Sequence, residues 1–168
     1  MLAWLKHMKI ILIDQAEKNK FKIAEKQIQK LCDTVTEGLM TQKIRNAKYL
    51  KKTEITCVFL TKKEMQILNN SFRKKNKPTD VLSFQPVEDS SIGELVFCPD
   101  VLVTQAQKQK HSLSDELTYM FIHGMLHLLG YDHEISKKEE KIMFGIQDLI
   151  FEQLTRDGFS LNYLSLKK

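Results

Sequence analysis

The feature that most constrains this chain is the eleven-residue segment HGMLHLLGYDH, which contains His123, His127 and His133. Apolar residues from Leu117 to Leu129 recur at the spacing of a buried helix. On such a helix, His123 and His127 lie about 40° apart around the axis and about 6 Å apart along it. Both imidazoles can therefore reach one ion, so the pattern predicts a metal site at the end of a central buried helix.

A third histidine completes the predicted site. Gly130 can adopt the left-handed conformation that ends a helix, and the chain can then turn back to present His133. Three neutral imidazoles with an open fourth position are typical of catalytic zinc, although nickel and iron also suit such ligands. We predict one Zn²⁺ per chain; the alternative is that the histidines form a polar helix face or are satisfied core groups.

The spacing HxxxHxxGxxH is also that of the metzincin proteases, in which a glutamate follows the first histidine and acts as general base. Here that position is Gly124, which cannot accept a proton. An enzyme built on this site needs another base, and Asp132, Glu134 or a group on the substrate are the candidates. The pattern therefore disfavours a peptidase.

Hydrophobic patterning predicts an α+β fold, with strands early in the chain and helices late. Capping boxes are expected at Thr61/Glu64 and Ser136/Glu139, and Ser114 with Glu116 is expected to begin the histidine helix. The last helix is expected to bury Ile142, Ile146, Leu149 and Ile150. The predicted strands are Ile10–Ile13, Ile55–Leu60, Val81–Phe84 and Leu95–Cys98, separated in the last pair by a loop over 86–93; the predicted helices are 21–40, 61–72, 100–110, 114–130 and 136–154.

Length and composition favour one domain over residues 1–168, with 1–8 and 155–168 peripheral. Three cysteines, an odd number without CxxC spacing, predict buried thiols and no disulfides. The apolar opening is too short for a signal peptide, and no later apolar run approaches the ~20 residues of a membrane helix. We expect a cytoplasmic protein that does not associate with membranes.

Positive charge is concentrated in two segments. The chain has 26 Lys and Arg against 21 Asp and Glu, and residues 61–78 hold six basic residues against one acidic residue. In that segment Arg73 offers a planar fork for bidentate contact with phosphate. Lys74, Lys75 and Lys77 are candidates for sequence-independent contacts with an anionic phosphate backbone. Residues 43–52 form the second basic group, and either group alone is also compatible with an ordinary solvated surface.

HGMLHLLGYDH resembles the signature H-G-x-L-H-L-x-G-Y-D-H of the YbeY family of bacterial rRNA-maturation endoribonucleases. The segment from Asn69 to Phe84 is similar to the family block N-x-x-[YF]-R-x-x-x-K-P-T-D-V-L-S-F. The resemblance implies an α+β fold with a small mixed sheet, of about four strands packed with about five helices. It also implies zinc on the three histidines, Arg73 as a catalytic residue beside His127, and cleavage of single-stranded RNA.

The resemblance further implies a role in processing the 3′ end of 16S rRNA and in ribosome quality control, with the small ribosomal subunit or its assembly factors as partners. One departure is Glu94, which stands where the family usually has aspartate and reaches one methylene farther. Two other functions remain open: a non-catalytic ribosome-assembly or RNA-binding factor with a structural metal, and a metalloprotease with a distant base.

Overall fold

The computed structural model describes residues 8–14, 21–22, 24–52, 54–161 and 165–166. Within them the chain forms five α-helices, a four-stranded sheet, a two-stranded ribbon and one short 3₁₀ helix, which confirms the predicted α+β class. The order along the chain is β1 (Lys9–Asp14), β2 (Phe21–Lys22), α1 (Glu25–Met40), the 3₁₀ helix (Ala47–Lys51), β3 (Glu54–Phe59), α2 (Lys62–Arg73), β4 (Val81–Phe84), β5 (Ser91–Phe97), α3 (Pro99–Gln109), α4 (Leu113–Leu128), α5 (Lys137–Arg156) and β6 (Ser165–Leu166).

The main sheet is mixed and has the strand order β1-β3-β5-β4. Strands β1, β3 and β5 are parallel, and β4 pairs with β5 in the antiparallel direction. Strand β5 is buried on both faces: Leu95 and Phe97 join the larger apolar core, whereas Val96 joins a smaller one. A strand covered on both faces reads as a continuous apolar run, which is why the pattern around Leu95 was recognisable in the sequence.

The two faces of the sheet are covered by different helices. Residues of α1, α4 and α5 form the larger core, with Phe97 stacked on Phe121 of α4 at 6.2 Å between ring centroids. Met65 of α2 packs in the smaller core on the other face. The cysteines Cys32, Cys57 and Cys98 are free and buried, as predicted. Among the described residues, no helix is both long and apolar enough to span a membrane.

Several predicted boundaries are wrong. The helix expected from Phe21 begins at Glu25, because Phe21–Lys22 pairs with Ser165–Leu166 in the ribbon. The loop expected over 86–93 ends early, since β5 begins at Ser91. Within β5, Gly93 has φ +133°, and a Cβ there would lie 2.4 Å from the carbonyl oxygen of Phe84. The glycine that suggested a loop is thus required inside the strand.

Helix starts were predicted with mixed success. The box at Thr61 and Glu64 is confirmed, with both reciprocal hydrogen bonds present. The start of α4 is wrong by two residues: Ser112 and Asp115 form its capping box. Ser114 instead accepts a hydrogen bond from the backbone N–H of Leu161 at 2.8 Å.

The start of α5 is half confirmed. Ser136 caps the helix by accepting from the N–H of Glu139, but the Glu139 carboxylate binds the guanidinium of Arg45 instead of returning a bond. The predicted apolar face of α5 is also wrong in part, because Leu149 is 45% exposed. The buried residues of this helix are Met143, Gln147, Ile150 and Leu154.

Candidate metal centre

Helix α4 places two of the predicted ligands, and the turn after it places the third. One ring nitrogen from each of His123, His127 and His133 lies within 4.8 Å of the other two. The Nε2 atoms of His123 and His127 are 3.1 Å apart. Two ligand nitrogens around a tetrahedral zinc at 2.0–2.1 Å are separated by roughly 3.3 Å. The donor set and its spacing therefore fit a single metal ion of this kind.

The turn after α4 is built as the sequence suggests. The N–H groups of Gly130 and Tyr131 donate to the carbonyls of His127 and Leu126 at 3.0 Å each, and Gly130 has φ +87°. The side chain of Asn46 fixes this turn from outside by donating to the carbonyl of Leu129 at 2.9 Å. The left-handed glycine thus turns the chain back so that His133 joins the other two histidines.

A buried glutamine on α5 orients the first histidine. The Nδ1–H of His123 donates to Oε1 of Gln147, 3.0 Å away, and Nε2 of Gln147 donates to the carbonyl oxygen of Tyr119 at 3.2 Å. Because the amide of Gln147 is held at both ends, its oxygen faces the imidazole and favours the tautomer with a free Nε2. Sequence reasoning missed this residue. The sequence signal that could have found it is the position of Gln147, a polar residue on the helical face that α5 buries.

Phe144 of α5 packs against two of the histidines. Its ring centroid lies 5.3 Å from that of His133 and 6.2 Å from that of His123. Burial and, to a smaller extent, the neighbouring His123 and His133 together lower the pKa of His127 to about 4. Burial also lowers the pKa of His123. Both imidazoles are therefore neutral near pH 7, the form that binds a metal ion.

Close packing explains the glycine that stands where a metzincin has its base. A Cβ on Gly124 would lie 2.6 Å from Cδ2 of Leu95 and 3.3 Å from Oγ of Ser83. Leu95 is fully buried in β5, so it has little freedom to move away. The helix lies too close to the sheet at this point for a glutamate to occupy position 124. The metal cluster is thus held against the sheet by an arrangement that excludes the peptidase side chain.

His123 and His127 open into a cavity of about 290 Å³ between α2, β4 and the turn after α4. Arg73 lies in the wall of this cavity, at the end of α2. The lining residues are Phe72, Arg73, Val81, Leu82, Ser83, Phe84, His123, His127, Asp132 and Glu134. The structure therefore brings Arg73 to the same cavity as two metal-ligand candidates, 50 residues or more away in sequence.

The two candidate bases have different surroundings. Asp132 accepts a hydrogen bond from the backbone N–H of Glu134 at 2.9 Å, which closes a turn around His133. The carboxylate of Glu134 contacts Nη2 of Arg73 at 2.6 Å and Nζ of Lys75 at 3.5 Å. The hydrogen bond from Arg73 lowers the pKa of Glu134. Glu134 therefore lines the same cavity as the histidines, where it is paired with Arg73.

The three predicted backbone-contact lysines are exposed at the end of α2 and in the loop after it. Lys74 caps α2 in a left-handed conformation, with φ 57°, and its Nζ donates to the carbonyl of Ser71. Lys75 contacts Glu134, as described above, and Lys77 lies beyond it. The carbonyl of Lys77 accepts a hydrogen bond from the buried side chain of Asn69 at 2.7 Å, which ties the loop to α2. The backbone of the basic segment is thus anchored to α2, while its lysine side chains are exposed.

Comparison with known proteins gives concordant results. A family model described as endoribonuclease YbeY matches residues 13–155. The chain is 43% identical over 149 residues to the endoribonuclease YbeY of Bdellovibrio bacteriovorus, covering 89% of this chain and 97% of that protein. It is 38% identical over 133 residues to the protein of the same name from Staphylococcus carnosus, covering 72% and 86%. The solution structure of TM1509 from Thermotoga maritima is similar, with a TM-score of 0.59 and 27% identity over 89% of this chain and 91% of that one.

Proposed function

The chain belongs to the YbeY family of endoribonucleases, and from that premise we propose that it is a zinc-dependent hydrolase that cuts single-stranded RNA. We propose further that its substrate is the 3′ end of 16S rRNA, and that it acts in ribosome maturation and quality control with the small subunit or assembly factors as partners. The observation that carries the proposal is the shared cavity: His123 and His127 lie in one part of its wall and Arg73 in another.

In this proposal His123, His127 and His133 hold the metal within a single domain, and Arg73 and His127 are catalytic residues. A zinc ion held by these histidines would supply Lewis-acid chemistry and would make a nearby water molecule more acidic. The planar guanidinium of Arg73 binds the non-bridging oxygens of the scissile phosphate in two-point contact, which stabilises charge that develops during cleavage. Gln147 holds the imidazole of His123 in the tautomer that leaves Nε2 free for the metal.

The ion pair between Arg73 and Glu134 must open when RNA binds. The side chains of Arg73 and Glu134 are 37% and 52% exposed, so the pair is largely solvated and inexpensive to separate. An RNA phosphate would replace the carboxylate on the same guanidinium. Lys74, Lys75 and Lys77 then contact the neighbouring phosphates from the exposed loop without reading the sequence.

The test compares the wild-type protein with His127→Ala on a precursor of small-subunit rRNA, with and without a chelator. The matched control is His111→Gln, which alters a histidine outside the cluster and keeps a donor for its contact with Glu116. We expect wild type and the control to cleave, and the variant and the chelated enzyme to be inactive. Metal content is measured on every preparation.

The same experiment distinguishes the non-catalytic alternative. A non-catalytic assembly factor would bind one metal per chain and bind RNA, yet leave every substrate intact, and His127→Ala would lower only its melting temperature. Cleavage that persists in His127→Ala after repurification would contradict the metal-dependent nuclease. Cleavage restored by zinc, but not by nickel or iron, would identify the ion that the site requires.

A further inference from the structure

An exposed aromatic ring lies beside the candidate metal centre. Phe72 is 65% exposed at the end of α2, directly before Arg73 in sequence, and it lines the same cavity as His123 and His127. This large apolar side chain in the wall of the cavity is not part of either apolar core. Scattered apolar residues on a surface are ordinary, so exposure alone assigns Phe72 no role.

A second observation is that the ring has a fixed support. Phe72 meets Phe84 of β4 edge to face, with ring centroids 4.9 Å apart and an angle of 72° between the planes. Phe84 is only partly exposed and packs on the smaller apolar core of the sheet. Phe84 holds the Phe72 ring from one side, and the rest of the ring is available to a ligand in the cavity. Because the ring is already held in place, binding a ligand costs less conformational entropy.

The charges around the ring define the ligand that fits it. Arg73 follows Phe72 directly, and the exposed lysines Lys74, Lys75 and Lys77 continue the positive charge along the chain. A single-stranded nucleic acid that lies along these side chains has an anionic backbone. It also carries a flat apolar base at each nucleotide. An aromatic ring beside a basic track is the arrangement in which bases stack on a protein while their phosphates are neutralised.

We propose that Phe72 is a base-stacking platform for one nucleotide next to the scissile phosphate, so that the ring and Arg73 position adjacent parts of the same RNA strand. This proposal rests on the proposed function, since it assumes that RNA enters the cavity. Stacking tolerates any base, because every base has a π face, so the platform favours unpaired RNA without selecting a sequence. A base held in a duplex cannot reach the ring, which makes the platform a source of single-strand preference.

The test is a double-mutant cycle between the ring and the base. Wild type and Phe72→Ala, both loaded with zinc, bind a series of labelled single-stranded oligoribonucleotides with one abasic site at each successive position. Fluorescence anisotropy at low temperature gives the dissociation constant before cleavage, and a gel of the same samples reports cleavage. Ile67→Ala is the matched control, because Ile67 is 59% exposed on the same helix and does not line the cavity.

We expect wild type to lose roughly 10-fold in affinity at one abasic position and Phe72→Ala to lose a similar factor on intact RNA. The two losses should not multiply when combined, because both remove the same contact. Phe72→Trp should restore tight binding, and Ile67→Ala should bind every oligoribonucleotide with the affinity of wild type. Losses that multiply, or an affinity unchanged by Phe72→Ala, would overturn the platform.

The cycle separates this proposal from the function it rests on. Base-dependent binding through Phe72 without any cleavage on the gel supports the platform and contradicts the nuclease. Cleavage that is indifferent to Phe72 and to every abasic site supports the nuclease and contradicts the platform. The Phe72→Trp variant in a Trp4→Phe background gives an independent signal, since Trp4 is the only native tryptophan and quenching on RNA binding then reports the stack itself.

Discussion

The two sides of the cavity are built in opposite ways. On one side His123 and His127 belong to a helix packed so closely on the sheet that Gly124 has no room for a side chain, and Gln147 is fully buried behind them. On the other side Arg73 is held by an exposed ion pair. The histidine side is fixed by the core before any ligand binds, whereas Arg73 can exchange its partner at little cost in free energy. The side proposed to hold the metal, called the metal side below, is thus preorganised, and the side proposed to bind RNA is adaptable.

The largest effect is expected at Gly124. Gly124→Glu forces a carboxylate between α4 and β5, where a Cβ alone is 2.6 Å from Leu95. Overpacking together with burial of an unpaired carboxylate should cost more than about 3 kcal/mol of the free energy of unfolding. Urea unfolding measures this loss.

The control for Gly124 is Gly145→Ala on α5, where an added Cβ meets nothing within 4 Å. Alanine is the better helix former there, so this variant should be stabilised by up to about 1 kcal/mol. If the free energy of unfolding changed equally in the two glycine variants, the close packing of the metal side would be contradicted.

The next effect is catalytic and lies on the adaptable side. Arg73→Ala should lower kcat about 100-fold, because it removes a charged donor from the transition state, while metal content and melting temperature stay near those of wild type. Arg73→Lys keeps the charge and loses the planar fork, and it should recover only part of the rate. Steady-state cleavage with metal analysis checks both. A fall in bound metal equal to the fall in rate would contradict the separation of the two sides.

A smaller effect is expected on metal affinity. Gln147→Leu removes the acceptor of the His123 Nδ1–H bond at nearly constant volume, and it should weaken zinc binding about 10- to 100-fold. Competition with a zinc-binding dye measures the affinity. Gln153→Leu makes the same change on α5 outside the cavity that the histidines line, and it should leave zinc affinity unchanged. If both variants bind zinc as wild type does, Gln147 does not position His123.

The smallest effects are expected at the exposed charges. Glu134→Gln frees Arg73 from its carboxylate partner and should strengthen RNA binding by less than about 10-fold, with little change in stability. If Glu134 is instead the general base, kcat falls steeply while affinity is unchanged.

Lys77→Ala should weaken binding equally for all sequences and reduce the slope of log affinity against log salt by about 0.7. Titrations at several salt concentrations measure both variants.

Sequence was most informative where one interaction decides the structure. The histidine spacing, Gly130 and the Thr61 capping box were recognisable because helical periodicity and local hydrogen bonds fix them. The role of Gln147 was not recognisable, because it depends on how α5 packs against α4. Gly93 was misread as a loop residue, since only the approach of the Phe84 carbonyl shows why a strand needs glycine there.

The burial of every cysteine bears on how the protein can be studied. Burial raises the pKa of Cys32 to about 12 and the pKa values of Cys57 and Cys98 above the usual range, so none forms a reactive thiolate near neutral pH. The native chain is therefore a ready background for site-specific labelling. One cysteine introduced at exposed Ile67 would be the sole site for a fluorophore or crosslinker. An RNA bound in the cavity could then be mapped by proximity without removing any native side chain from the core.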